Sequence, residues 1–104
     1  MHNKLILKIA YMLKILGHPT RITIIQILSE GQRCVCEIMA LINEEQSTIS
    51  KHLAVLKNAG LLESRKEGLS VFYNIKDKNI SNIISIAEDI LKNEILENME
   101  ILEK

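Results

Sequence analysis

The sequence predicts a mostly α-helical domain with one small β-hairpin, inserted between a run of four helices and a long last helix. Three observations carry that expectation. Apolar residues recur at three- and four-residue steps over residues 4–16, over 46–58 and from Lys78 onward. Glu67-Gly68 separates two short runs, Leu62 to Lys66 and Leu69 to Ile75, and the second is rich in strand formers (Val71, Phe72, Tyr73). The 104 residues contain no internal repeat and no low-complexity linker, so they make one small domain.

The first stretch places Leu5, Ile9, Met12 and Leu16 on one stripe, widened by Ile6, Leu7, Leu13 and Ile15. A helix apolar over so much of its circumference is expected to be buried on two sides. It is not read as a signal peptide, because Lys8 and Lys14 interrupt it and no small-residue cleavage site follows. No run approaches the length of about 20 apolar residues needed to span a bilayer. Gly17-His18-Pro19-Thr20 breaks the chain, with Pro19 suited to the first turn of a second helix. Residues 20–29 are ambiguous: Ile22, Ile24, Ile25 and Ile27 are β-branched and allow a strand as readily as a helix. Glu30-Gly31-Gln32 reads as a turn, followed by a short segment from Arg33 to Ile42. Asn43 is expected to take the left-handed conformation that a tight corner between two helices needs.

In residues 43–60, Ile49, Leu53 and Leu56 form a buried stripe, while Ser47, Ser50, Lys51, Ala54 and Asn58 face the other way. The outward side chains are small or hydrogen-bonding and lack the Glu/Lys pairing of an ordinary solvated face. Such a face suits close approach to the major groove of DNA. Gly60 is placed to end the helix in a left-handed conformation, with Leu61 folding back on the last turn. From Lys78, the series Ile80, Ile84, Ala87, Leu91, Ile95 and Met99 defines the last helix.

Composition adds three constraints. Apolar residues make up 47% but aromatics only 3%, so the core must be Ile, Leu, Val and Met, and a second copy of the chain is expected to complete it. The net charge of zero argues against a generic nucleic-acid coat. The charge is unevenly spread, however: Lys51, Lys57, Arg65 and Lys66 against Glu63 leave residues 46–66 at +3, while residues 86–104 stand at −4, so only the middle is suited to phosphates. Two cysteines one residue apart are no disulfide framework for a secreted fold, and a soluble cytoplasmic protein without a membrane role is expected.

His18-Pro19-Thr20-Arg21, Cys34-Val35-Cys36-Glu37-Ile38 and Gln46-Ser47-Thr48-Ile49-Ser50-Lys51-His52-Leu53, continued by Leu56-Lys57-Asn58-Ala59-Gly60-Leu61-Leu62, together resemble the ArsR/SmtB family of winged-helix repressors. The likeness holds in one register from about Leu13 to Ile75. It implies a winged helix-turn-helix of order α-α-α-α-β-β-α over residues 1–104, with the helix-turn-helix at 34–60 and the wing at 62–75. It also implies that residues 20–29 are helical and that the terminal helices, 1–16 and 77–104, join two subunits. In that arrangement a homodimer presents two copies of the 46–58 helix to successive major grooves of double-stranded DNA, ~10 base pairs apart. Gln46 is the better base reader; Ser47, Thr48 and Ser50 donate to bases or phosphates, and Lys51 adds charge. His52 either contacts DNA or packs beside Thr48. Arg65 and Lys66 would touch the DNA backbone from the wing, the alternative being solvated hairpin charges. Glu44 and Glu45 depart from the family pattern of an apolar residue and a Ser-like cap, and Glu at this position caps poorly and repels nearby phosphate.

The resemblance further implies that the Cys-Val-Cys element senses arsenite or soft metal ions, which makes Cys34 and Cys36 the candidate ligands and arsenite or a soft metal the inducer. Residues two apart on a regular helix point to nearly opposite faces, so both thiols reach one ion only if Cys34 precedes the first turn. Arg33 and the helix N-terminus favour the thiolates, and Glu37 works against them. The ligand set is incomplete: Met39 stands where arsenite sensors carry a third Cys, the N-terminal arm has no Cys, and the last helix has no His. His18 and His2 are conceivable additional ligands without a spacing argument. Two alternatives stay open, a redox switch through a Cys34–Cys36 disulfide and a purely structural role for two small apolar side chains.

No nucleophile–base–acid constellation is present, so an enzyme is not expected. A thiol–disulfide enzyme would need a two-residue spacer between the cysteines and a βαβ context, both missing. A helical interaction module without DNA is the remaining alternative, prompted by the zero net charge.

Overall fold

The computed structural model describes residues 2–103, with side chains to residue 100. The chain folds into helices α1 (Asn3–Leu16), α2 (Pro19–Leu28), α3 (Val35–Leu41), α4 (Gln46–Asn58) and α5 (Asn79–Glu103), with strands β1 (Arg33–Cys34), β2 (Leu62–Glu67) and β3 (Ser70–Ile75). The order agrees with the winged helix-turn-helix expectation. The ambiguous segment after Pro19 is helical, started by Pro at its first turn and by His18, whose Nδ1 accepts from Thr20 N–H at 3.1 Å.

One core serves every element that positions the outward face of α4. Ile49, Leu53 and Leu56 of α4 are buried with Ile24, Ile25 and Leu28 of α2, Ile38 of α3, Leu16 of α1, Leu61, Leu62 and Ile80. Each such side chain contributes roughly 1.5–3 kcal/mol over an exposed position. The end of α4 is a Schellman turn. Gly60, at φ +79°, donates to Lys57 O at 2.9 Å, Leu61 donates to Leu56 O at 3.0 Å, and both leucines are in the core.

Three local expectations are corrected. Asn43 is not left-handed: among the described residues only glycines have positive φ, and the corner forms through an extended Ile42 (φ −114°, ψ 124°) whose carbonyl accepts from Glu44 N–H at 3.0 Å. Burial of Ile42 in the core makes that extended turn favourable without a left-handed residue. Leu69 is not in a strand. Glu67 pairs with Ser70, so Gly68 and Leu69 form a two-residue turn with Gly68 at φ +63°, and Leu69 is fully exposed. The segment beginning at Arg33 is not helical from its start. Arg33 and Cys34 form a short strand on β3, pairing Arg33 with Tyr73 and Cys34 with Phe72, which makes the sheet three-stranded in the order β1-β3-β2.

The terminal helices keep only part of their apolar surface inside this chain. On α1 Leu5, Leu7, Tyr11 and Leu13 are exposed, and on α5 Ile86, Ile90, Leu91, Ile95, Leu96 and Met99 are exposed. No helix among the described residues is long and apolar enough to cross a membrane.

Candidate nucleic-acid interface and thiol pair

The outward face of α4 carries Gln46, Ser47, Ser50, Lys51, Ala54 and Asn58, all exposed, with Thr48 and His52 half-buried at its edge. Glu45 starts the helix through its carbonyl, which accepts from Thr48 and Ile49 N–H at 3.1 Å each, and its side chain makes no capping bond. The weak cap expected of Glu at this position is what is seen. Glu44 has a role that sequence reasoning missed. Its carboxylate accepts a hydrogen bond from the hydroxyl of Thr20, the buried polar residue of α2, and so ties the corner before α4 to the second helix.

His52 is held rather than free. Arg21 Nε donates to its Nδ1 at 3.0 Å and Arg21 Nη1 donates to the Ile15 carbonyl at 3.1 Å, so one guanidinium braces α1, α2 and α4 together. The His18 ring lies 4.3 Å from the His52 ring, tilted by 44°. Because Nδ1 accepts, the ring proton of neutral His52 is on Nε2. Burial, followed by the neighbouring His18 and Arg21, pushes the His52 pKa below its ordinary value of 6.5, and Glu44 only partly opposes this. His52 therefore stands half-buried at the edge of the α4 face, its Nδ1 occupied and its ring proton on Nε2 when neutral. Arg21 was overlooked as a site residue because nothing in its spacing announces a partner 31 positions away.

On the wing, Lys66 is exposed, and Arg65 is engaged three ways. Its guanidinium lies 5.0 Å over the Phe72 ring, donates from Nη1 to Glu67 at 2.8 Å and from Nε to Gln32 at 3.4 Å. The sheet register sets these neighbours. Phe72 pairs with Arg65 on one side and with Cys34 on the other, so Cys34, Phe72 and Arg65 form one row across the three strands.

Cys34 does precede the first turn of α3. It is the N-cap, with extended backbone (φ −72°, ψ 156°), and a capping box closes around it: Glu37 N–H donates to Cys34 Sγ at 3.3 Å, and Cys34 N–H donates to the Glu37 carboxylate at 3.2 Å. This conformation swings Cys34 Sγ toward Cys36, and the two are joined as a disulfide. Cys34 is buried and Cys36 exposed. The charge of Arg33 is shared between Glu30 at 3.4 Å and Glu37 at 3.3 Å. Cys34 and Cys36 line a cavity of about 300 Å³ with Val35, Leu69, Ser70 and Val71.

The other conceivable ligands are employed elsewhere. His2 and His18 cap α1 and α2 through their Nδ1 atoms, and Met39 packs against the core. Among the described residues no group of three His, Cys, Asp or Glu side chains is arranged to hold a metal ion. Once the disulfide is reduced, the pair offers an ion two sulfur donors.

Residues 18–64 match the family model of bacterial regulatory proteins of the arsR family. The chain is 42% identical over 84 residues to an uncharacterized HTH-type transcriptional regulator of Methanocaldococcus jannaschii, covering 80% of this chain and 94% of that protein. It is 44% identical over 63 residues to the arsenical resistance operon repressor of Escherichia coli, covering 60% of this chain and 54% of that repressor. Among solved structures it is similar, with a TM-score of 0.77 at 28% identity, to the homodimeric winged helix-turn-helix DNA-binding domain from Mycobacterium bovis described as a possible ArsR-family transcriptional regulator. That match covers 91% of this chain and 87% of the other.

Proposed function

The chain belongs to the arsR family of bacterial regulatory proteins and is a DNA-binding transcriptional regulator; from that premise we propose that it represses as a homodimer and releases its operator when the Cys34–Cys36 pair captures a thiophilic metal or metalloid. The observation that carries the DNA-binding surface is the outward side of α4, where polar side chains stand unpartnered on a helix fixed from behind by Ile49, Leu53 and Leu56. Gln46, Ser47, Thr48, Ser50 and Lys51 read the major groove, and His52 adds an Nε2–H donor suited to a base-edge or phosphate acceptor. Arg65 and Lys66 contact backbone from the wing.

The exposed apolar surfaces of α1 and α5 support pairing of two chains, since a soluble monomer does not usually leave so many large apolar side chains on two helices in water. The homodimeric state described for the M. bovis domain supports it as well.

Release follows from the row Cys34–Phe72–Arg65. An ion bound by both thiolates must pull Cys34 and Cys36 into its own geometry, which disturbs the capping box of α3 and the β1–β3 pairing. Phe72 moves with β3, and Arg65, which rests on Phe72, leaves the position from which it reaches phosphate. A second reading is oxidation of the same pair, favoured by the bonded sulfurs of this structure. Formation of the disulfide would use the same row.

The test is a titration of the protein–DNA complex, using DNA upstream of its own gene, with arsenite, cadmium, zinc, copper(I) and peroxide, beside Cys34→Ser and Cys36→Ser. Release by a thiophilic ion that both variants resist is the expected result. Release by peroxide alone selects the second reading, and variants that respond like the parent remove the cysteines from the mechanism.

A further inference from the structure

Two histidine rings meet at the edge of the α4 face, and their neighbours decide which nitrogen of each carries the proton. His18 caps α2, so its Nδ1 accepts from Thr20 N–H at 3.1 Å. His52 accepts at Nδ1 from Arg21 Nε at 3.0 Å. Arg21 is itself fixed, because its Nη1 donates to the Ile15 carbonyl, one of the last-turn carbonyls of α1 that find no partner within the helix. The His18 ring, 4.3 Å away and tilted by 44°, closes one side of the His52 ring. The charged and titratable groups facing His52 are thus His18 and Arg21 from α2 and Glu44 from the corner, and the Glu44 carboxylate already accepts from the Thr20 hydroxyl. Burial and the two basic neighbours outweigh that carboxylate, so the ring stays neutral to a lower pH than a free histidine. Beside a polyanion an unrestrained histidine behaves differently. It samples two tautomers and takes up a proton as it meets phosphate, so its contact strengthens with acid and adds to the salt dependence.

We propose, resting on the reading of α4 as the DNA-contacting helix, that Arg21 is a positioning residue for recognition: by occupying Nδ1 it makes His52 a single-tautomer, uncharged donor to a hydrogen-bond acceptor on the DNA. Arg21 acts through His52. It sets the ring's rotation in its own plane, His18 limits the ring from one face, and the proton is left at Nε2 alone. A donor fixed before binding loses little freedom on binding, which is the advantage of preorganisation. The contact also carries no titrating charge across the neutral range, so the preference it supports does not drift with pH. One guanidinium therefore pins the end of α1 and defines the chemistry of a side chain on the reading helix.

The test has one arm without DNA and one with it. In the free full chain at pH 7, long-range nitrogen–proton spectra of the histidine rings should show His52 as one tautomer, protonated at Nε2, and Arg21→Met should give a mixture. The second arm measures affinity for the DNA upstream of its own gene from pH 5.5 to 8 at constant ionic strength. His52→Gln, whose amide N–H stands near the place of Nε2–H and does not titrate, should bind within about twofold of the parent throughout. His52→Asn, whose amide reaches only as far as Nδ1, should bind about tenfold more weakly, the scale of one lost hydrogen bond. Arg21→Met should tighten, relative to the parent, by up to about fivefold as the pH falls through about 6.5, the effect of one added surface charge. The double variant Arg21→Met/His52→Gln should lose that dependence. An Arg21→Met variant that is weaker by the same factor at every pH has lost only a structural brace, and overturns the proposal. So does a fall in His52→Gln as large as in His52→Asn, a comparison that stands even if Arg21→Met does not fold. A mixture of His52 tautomers in the parent overturns it before any DNA is added. If the spectra are as expected but the parent shows no specific binding to that DNA, the reading of α4 fails and takes the proposal with it.

Discussion

In α4 the outward side chains Gln46, Ser47, Ser50 and Lys51 make no side-chain hydrogen bonds within the described residues, while Ile49, Leu53 and Leu56 lock the helix from behind. On the wing the arrangement is reversed. Arg65 is stacked on Phe72, paired with Glu67 and bonded to Gln32, and its strand pairs through β3 with the cysteine-bearing strand. The helix thus holds its exposed polar groups on a fixed frame, as the proposed reading of DNA requires. The wing carries a cation, Arg65, that is already engaged by Phe72, Glu67 and Gln32, in one row with Cys34. The difference teaches where regulation can enter a domain of this size. On the proposed function, specificity belongs to the element with the deepest core and the switch to the element with the shallowest.

The largest expected effect tests the rigidity of the reader. Leu53→Ala should cost about 2–5 kcal/mol in urea unfolding, since it opens a cavity beneath α4. Operator binding should fall with it, and retention of full affinity would mean that α4 need not be fixed. Next come the two kinds of DNA contact. Gln46→Ala should lower discrimination at one base position by roughly 1–3 kcal/mol. Arg65→Ala should weaken binding to all sequences alike and reduce the salt slope by about 1. A changed base preference in Arg65→Ala would erase the contrast between helix and wing.

Phe72→Leu sharpens it further. Operator affinity should stay within about 0.5 kcal/mol of the parent, but release by a thiol-directed agent should require more of it, because Arg65 loses its ring. The smallest effect is expected from acid. His52 has a folded pKa below its unfolded value of 6.5, so its contribution to stability is full above that value and is lost as the pH falls toward the folded pKa. Unfolding curves at pH 7.5 and 5.5 should therefore show a small acid loss that Arg21→Met, which removes the partner of Nδ1, reduces. A loss of the same size in Arg21→Met would show that this bond does not matter.

Much of this was legible beforehand, for identifiable reasons. The steps of Ile49, Leu53 and Leu56 gave α4, because helical periodicity is a local property of the chain. Gly60 and Leu61 gave its end, because a Schellman turn requires a left-handed residue followed by an apolar one. The apolar character of Leu69 extends the run beginning at Val71 and so suggests a strand, whereas the pairing of Glu67 with Ser70 puts it in the turn. Asn43 can adopt a left-handed conformation, but the corner forms through the buried, extended Ile42 instead.

By itself, then, the sequence determined the order of the elements, the buried side of each central helix, the exposed polar face of α4 and the two-cysteine composition of the candidate sensor. These depend on spacing and side-chain chemistry within short windows. Tertiary structure alone decided that Arg21 would hold His52, that Glu44 would satisfy Thr20, and that Cys34, Phe72 and Arg65 would share one row. Those pairings join residues 24 to 38 positions apart, except for Arg65 and Phe72 on the adjacent strands of the wing, which are 7 apart. No local pattern encodes them, because they exist only once helices pack and strands choose their register.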